Sequence, residues 1–163
     1  MLKLGFRREW VNLIMQCVTT VEYKVRINAD ESESFKPSRG LRQGDPLSPY
    51  LFSLCTEGLN ALLSHAKENG NISGVKVCRD APPVTNLLFA DDSLILMKAN
   101  QHNAAALKSA LDLYCAASGQ LVSVEKSSIF FSPNTKVEVR EHLCTTLNIM
   151  TEALNDKYLG LPA

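Results

Sequence analysis

Hydrophobic and polar positions follow two periods along the chain, and the switches between them mark the elements. From Phe6 to Val18, the apolar residues Phe6, Trp10, Ile14, Cys17 and Val18 share one helical stripe, while Arg7, Arg8 and Asn12 fall elsewhere. That spacing predicts an amphipathic helix covering a core. From Thr20 to Ile27 the period drops to two: Val21, Tyr23, Val25 and Ile27 alternate with Glu22, Lys24 and Arg26. A half-buried strand is expected there, followed by a polar turn or loop over 28–37.

Asp45-Pro46 signals a helix start, since aspartate caps orphan N–H groups and proline has none to leave unpaired in the first turn. Leu47, Leu51, Leu54, Gly58, Leu62 and His65 then line one predicted face as far as about Glu68, where Asn69-Gly70 stops the helix. Gly58 inside a helix costs about 1 kcal/mol relative to alanine, so another backbone or a ligand is expected close by. Val75–Cys78 reads as a short strand. Two apolar runs, 85–90 and 93–97, are separated only by Asp91-Asp92 and read as buried strands. Residues 102–117 form a predicted helix with Leu107, Leu111 and Tyr114 on its buried edge, stopped at Ser118-Gly119. A short strand near 129–132 and a helix over 136–147 complete the pattern. Helices and non-alternating strands in this order predict an α+β fold, an antiparallel β-hairpin sheet packed on helices.

The 163 residues suffice for one modest domain, and 45% hydrophobic with 21% charged residues is ordinary globular usage that excludes disorder. Lys+Arg and Asp+Glu both total 17, which excludes a strongly basic arm holding nucleic acid by charge alone. No apolar run approaches the ~20 residues of a membrane span, so no membrane partner is expected. Arg7, Arg8 and Glu9 fall where a secretory apolar segment would lie, and no signal peptide is expected. Five cysteines without CxxC spacing point to reduced thiols rather than a disulfide framework or a zinc site.

Two segments carry candidate chemistry. In Leu87-Leu-Phe-Ala-Asp-Asp-Ser-Leu-Ile-Leu96 the turn holds two carboxylates where tight-turn geometry favours Gly or Asn. Adjacent like charges repel unless a cation sits between them, and a divalent ion is the economical candidate; the alternative is a solvated turn. In Arg39-Gly-Leu-Arg-Gln-Gly-Asp-Pro-Leu-Ser-Pro-Tyr-Leu-Phe52, glycines flank a Leu-Arg-Gln core just ahead of a helix N-terminus. Gly40 and Gly44 permit close backbone approach, Arg42 suits a phosphate, and Gln43 suits a base or sugar. The alternative is a glycine-bounded loop entering a capped helix, with Asp45 as the cap rather than a catalytic group.

Together these segments resemble motifs B (RGLRQGDPLSPYLF) and C (FADDSLIL) of the reverse transcriptase palm of non-long-terminal-repeat, LINE-type retrotransposons, especially plant-type elements. MLKLGF…W resembles the stretch after motif A, SGQLVSVEKSS motif D, and KYLGLP the stretch near motif E. The resemblance implies an RNA-directed DNA polymerase that extends a DNA primer on an RNA template with deoxynucleoside triphosphates, using Mg²⁺ or Mn²⁺. It implies that Asp91 and Asp92 are catalytic metal ligands, Asp91 foremost, that Phe89 packs beneath the hairpin, and that Ala90 faces primer or sugar. It further places Arg39, Gly40, Arg42, Gln43 and Gly44 along nucleic acid or substrate, and Lys126 beside the pyrophosphate; a solvated surface lysine is the alternative there. An intracellular protein of nucleus or cytoplasm is implied.

The departures are as informative. Residues 1–163 read as a partial reverse transcriptase domain with motifs B, C, D and the start of E. The fingers, the thumb and motif A with its first catalytic aspartate are not in this chain. Glu9, Glu22, Asp30, Glu31 and Glu33 are the only carboxylates before motif B, and none has the family's aromatic-x-Asp context. Ser123 stands where motif D usually has asparagine. The expectation is therefore a fragment, marginally stable and inactive alone. Two alternatives stay open: a non-catalytic nucleic-acid- or protein-binding module, and complementation by another chain supplying motif A. For binding, Lys24, Arg26, Lys36, Arg39 and Arg42 are the candidate basic strip.

Overall fold

The computed structural model describes residues 1–38 and 40–151, together with the backbone of 157–158 and 161–162. It is α+β, as expected, but its strands form separate two-stranded antiparallel hairpins rather than one sheet. The chain divides into two compact units, Met1–Leu54 and Cys55–Ala163.

In the first unit, helix α1 spans Arg8–Thr19. Its stripe has the expected period, yet only Ile14 is buried, and Trp10 is 49% exposed. The expected strand over 20–27 contracts to β1, Arg26–Ile27, which pairs with β2, Asp30–Glu31. Between them Asn28 and Ala29 both take positive φ, 50° and 74°, the conformation of a type I′ hairpin turn. Upstream, a single bridge joins Tyr23 to Phe35 through two 2.9 Å hydrogen bonds. The strand stays short because its partner segment is polar: Val25 and Ile27 remain exposed, with no apolar face among the described residues closing over them.

Helix α2, Ser48–Glu68, crosses the unit boundary. In the second unit its buried residues are Leu59 and Leu63, not the predicted face, and His65 is exposed, paired with Asn69. Gly58 meets no close backbone: a Cβ there would lie 4.0 Å from the Tyr114 ring, ordinary contact. The predicted stop holds, with Gly70 left-handed at φ 73°. Helix α3, Gln101–Ser118, is capped by the Asn100 side chain, which accepts from the Asn103 N–H, and ends at left-handed Gly119. Helix α4 spans Val137–Leu147. Leu59, Leu63, Ile72, Leu107, Ala110 and Tyr114 form the core, and Leu147 packs against it.

On this core lies the hairpin of β3, Asn86–Phe89, and β4, Asp92–Ile95. Two predicted strands shrink. Residues 75–78 contribute one bridge, Val75 to Val84, and Ile129 one backbone hydrogen bond, to Thr151. The motif-E-like stretch pairs as β5, Lys157–Tyr158, with β6, Leu161–Pro162; the intervening 159–160 lie outside the described residues. No helix among the described residues is long and apolar enough to cross a membrane, and no disulfide joins the five cysteines.

Candidate functional site

The register of β3 and β4 decides where the acidic pair sits. Phe89 pairs with Asp92, Leu88 with Ser93, Leu87 with Leu94 and Asn86 with Ile95. The two-residue turn is therefore Ala90-Asp91, and Asp92 already opens β4, one residue earlier than the sequence suggests. Paired residues share a face. Asn86, Leu88, Ser93 and Ile95 form the inner side, with Leu88 and Ile95 packed on the core. Leu87, Phe89, Asp92 and Leu94 form the outer side.

Phe89 does not pack beneath the hairpin: it is 58% exposed, and Leu87 is 47% exposed. Alternation assigns the inner side to Leu88 and turns its neighbours outward. The strands are thus half-buried rather than buried. Asp91 and Asp92 are both exposed, and neither side chain forms a hydrogen bond or ion pair among the described residues. Ala90 holds φ 49°, left-handed backbone that a non-glycine residue adopts at a cost of about 1–2 kcal/mol.

Three features fix the tip from below. The Leu96 N–H donates to the Thr85 carbonyl at 2.8 Å, extending the ladder past β4. Gly74 lies so close to Val84 that a Cβ would fall 2.5 Å from the Val84 carbonyl oxygen. The Asn86 amide donates to Asn60 Oδ1 of α2 at 3.1 Å. Sequence reading attached close approach to Gly58 and passed over Gly74 and Asn86. The available signal was Asn86 itself, a polar side chain in a run read as buried, which requires a partner.

The glycine-bounded loop belongs to the first unit. Gly40 and Gly44 have φ of 83° and 80°, and a Cβ on either meets nothing within 4 Å. Glycine is needed here for the turn of the backbone, with no described atom pressed against it. Asp45 Oδ1 accepts from the Leu47 N–H at 2.8 Å, and the Ser48 hydroxyl donates to the Arg42 carbonyl at 2.7 Å. Asp45 thus closes the turn that leads into α2, the capping role read from the sequence. Arg42, Gln43 and Gly44 are exposed, and no carboxylate pairs with the Arg42 guanidinium among the described residues. Arg39 lies outside the described residues.

The basic strip is weaker than its sequence. Lys24 pairs with Glu31 at 3.3 Å and Lys36 with Glu22 at 3.4 Å. The Ser34 hydroxyl, and after it Lys36, hold the Glu22 carboxyl below the usual glutamate range. Lys126 sits in a 3₁₀ turn, Val124–Lys126, exposed and without a hydrogen bond or ion pair to the acidic turn among the described residues. The candidate residues thus fall into three groups: the hairpin tip (Phe89, Ala90, Asp91, Asp92), the loop (Gly40, Arg42, Gln43, Gly44), and Lys126.

The acidic hairpin tip and the glycine-bounded loop, each in its own unit, are the segments whose sequences resemble polymerase motifs C and B. The sequence model of the family described as reverse transcriptase (RNA-dependent DNA polymerase) matches residues 2–163, and the chain belongs to that family. It is similar to an uncharacterized mitochondrial protein of Arabidopsis thaliana, 54% identical over 67 residues, which are 41% of this chain and 55% of that protein. It is also similar to the retrovirus-related Pol polyprotein from type-1 retrotransposable element R2 of Nasonia vitripennis. There it is 33% identical over 100 residues, 61% of this chain and 9% of the polyprotein. The chain therefore spans just over half of one curated relative and a small part of the other. These relatives bear out the resemblance to plant-like, LINE-type reverse transcriptases.

The family works with divalent metal ions. Holding two of them takes carboxylates from at least two chain segments. Among the described residues no three His, Cys, Asp or Glu side chains gather closely enough to hold a metal. The adjacent pair of Asp91 and Asp92 by itself does not fit that requirement.

Proposed function

We propose that this chain supplies the motif B, C and D portion of an RNA-directed DNA polymerase palm from a LINE-type retrotransposon, and that alone it does not polymerise. One observation carries the reading. An exposed, unpaired Asp91-Asp92 tip is held on a packed base at a strained Ala90, in a turn that backbone geometry alone would give to glycine. Strained turns are enriched at functional sites, but Ala29 at φ 74° carries like strain, so the exposed acidic pair is what weighs here. Asp91 and Asp92 are the carboxylates offered to divalent ions, Mg²⁺ or Mn²⁺. The exposed Arg42 guanidinium suits a template or primer phosphate, and Gln43 with Gly44 suits a base pair. Ala90 and Phe89 face the primer side, and Lys126 is the candidate charge for the pyrophosphate. Arg39 and Gly40 extend the nucleic-acid face of the loop.

Inactivity follows from ligand number. No carboxylate upstream of the glycine-bounded loop stands in the aromatic-x-Asp context of the family's first catalytic aspartate. Losing a metal ligand costs more than the ~10²–10⁴ of one acid–base residue. The site calls for a further segment that supplies this carboxylate, in the same polypeptide or in another. No observation favours a stand-alone binding module, because Glu31 and Glu22 already neutralise Lys24 and Lys36.

Primer extension tests this. With an RNA template, DNA primer, deoxynucleoside triphosphates and Mg²⁺ or Mn²⁺, the 163-residue chain is expected to give no product. A version lengthened upstream by an aromatic-x-Asp segment is expected to extend the primer, with loss of activity in Asp91→Ala. Robust extension by the chain alone that vanishes in Asp91→Ala overturns the inactivity. Extension by the lengthened version that survives Asp91→Ala overturns the site.

A further inference from the structure

A hairpin of two strands is marginal in water unless something holds its face. Here two kinds of contact hold the inner side of β3–β4. Leu88 and Ile95 pack on the core, and such burial is non-directional: it tolerates rotation and sliding. The second contact is directional. The Asn86 side-chain amide donates to Asn60 Oδ1, 3.1 Å away across 26 residues of sequence, while Asn86 Oδ1 accepts from the Thr85 hydroxyl at 2.9 Å. Asn60 in turn donates to Glu57 Oε2 at 3.4 Å. Thr85 is only 6% exposed and both amides are half-buried. Their hydrogen bonds weaken steeply once the geometry is lost.

Register makes this consequential. A slip of one residue in a strand sends every side chain to the opposite face. It would carry Leu88 outward and change the direction of Asp91 and Asp92. Apolar contacts alone discriminate poorly, because Leu87 and Leu88 are identical neighbours and either can meet the core. Asn86 discriminates: only in the observed register does its amide reach Asn60.

We infer that Asn60 and Asn86 are positioning residues, a side-chain amide pair that locks the rotation and register of the hairpin on α2 and so sets where the two carboxylates point. This rests on the reading of the acidic tip as the catalytic end of the hairpin. The pair touches no reacting atom and acts through the strand that ends in Ala90.

The test uses the whole chain, with no nucleotide or metal added. Residual dipolar couplings of the Asp91 and Asp92 amides report the orientation of the tip relative to α2. Hydrogen exchange at Leu87 and Leu94, a hydrogen-bonded pair of the ladder, reports opening of the hairpin, and exchange at Leu107 and Ala110 reports the helical core. In Asn60→Ala, and independently in Asn86→Ala, the couplings should shrink toward averaging. Hairpin exchange should rise about tenfold while α3 exchange stays within about twofold. The double variant should match either single one, since both remove the same bond. Asn60→Asp, made together with Glu57→Gln so that no second carboxylate stands beside it, keeps the acceptor and should restore the couplings. Unchanged couplings in both alanine variants, or failure of Asn60→Asp with Glu57→Gln to rescue, overturns the proposal. A rise in α3 exchange equal to that of the hairpin also overturns it, by showing a general structural role. Because these readouts need no polymerase activity, their failure is distinct from the Asp91→Ala outcome in primer extension.

Discussion

Between Met1 and Leu54 only Ile14 is buried among the described residues, whereas from Cys55 onward Leu59, Leu63, Ile72, Leu107, Tyr114 and Leu143 are all nearly inaccessible to water. The first unit leaves Leu2, Leu4, Trp10, Leu13, Met15 and Phe35 substantially exposed. Both halves carry motif residues, but on different foundations. The acidic tip stands on a packed base of α2, α3 and a bridged loop. The glycine-bounded loop is shaped by local hydrogen bonds, from Ser48 to the Arg42 carbonyl and from Leu47 to Asp45. Under the proposed roles, a turn offered to metal ions must be aimed, which takes a core, whereas a loop offered to phosphates needs only a backbone path, and glycines at positive φ provide it.

The largest expected effect separates the units by stability. Leu63→Ala should lower the unfolding free energy by about 2–5 kcal/mol, while Leu13→Ala, half-exposed in the first unit, should change it by less than about 0.5 kcal/mol. Denaturant titration followed by circular dichroism measures both, and comparable losses would remove the contrast. Next comes Gly74→Ala. Its new Cβ would sit 2.5 Å from the Val84 carbonyl oxygen, and the backbone shift should cost about 1–3 kcal/mol, seen as faster amide exchange at Val75 and Val84.

Ala90→Gly has the opposite sign. Glycine takes φ 49° without the Cβ penalty, so the hairpin should gain about 0.5–1 kcal/mol after the larger entropy of the unfolded chain is subtracted. If the lengthened polymerase loses activity as the turn gains stability, the strain serves the site.

The smallest effect lies in the first unit. The Glu22 carboxyl is held below its ordinary range by Ser34 and Lys36. Its folded-state value is depressed, so its contribution is present above the usual glutamate range and fades as the pH falls through and below it. Proton chemical shifts of Tyr23 and Phe35, whose rings lie 6.1 Å apart, should drift toward unfolded values over that window. The core resonances of Leu107 and Tyr114 should stay put.

Helices were the legible part of this fold, because period and stop signals agree. Asn69-Gly70 and Ser118-Gly119 end α2 and α3 where the sequence says, at glycines of φ 73° and 74°. The buried side of α2 was not legible. Leucines lie on more than one of its sides, so period alone cannot choose Leu59 and Leu63 over Leu62 and Leu54. Strands were overread for a related reason. Alternation in 20–27 reports a chain able to bury one face, and burial also takes an apolar partner, which the polar segment 28–37 does not offer. At the site, the acidic pair was legible from its adjacency between two strands, although only Asp91 lies in the turn and Asp92 opens β4. Gly74 and the Asn60–Asn86 pair were not, since each depends on a neighbour far along the chain.

The outer side of the hairpin has a bearing on how the chain behaves in bulk. Leu87 and Phe89 show 47% and 58% of their surface to solvent on a sheet of two strands that has no interior strand. Crowded together, such molecules shed water most readily by adhering to one another. The side chains that flank the acidic tip thus add to the apolar surface through which such molecules adhere, alongside Leu2, Leu4 and Trp10 of the first unit.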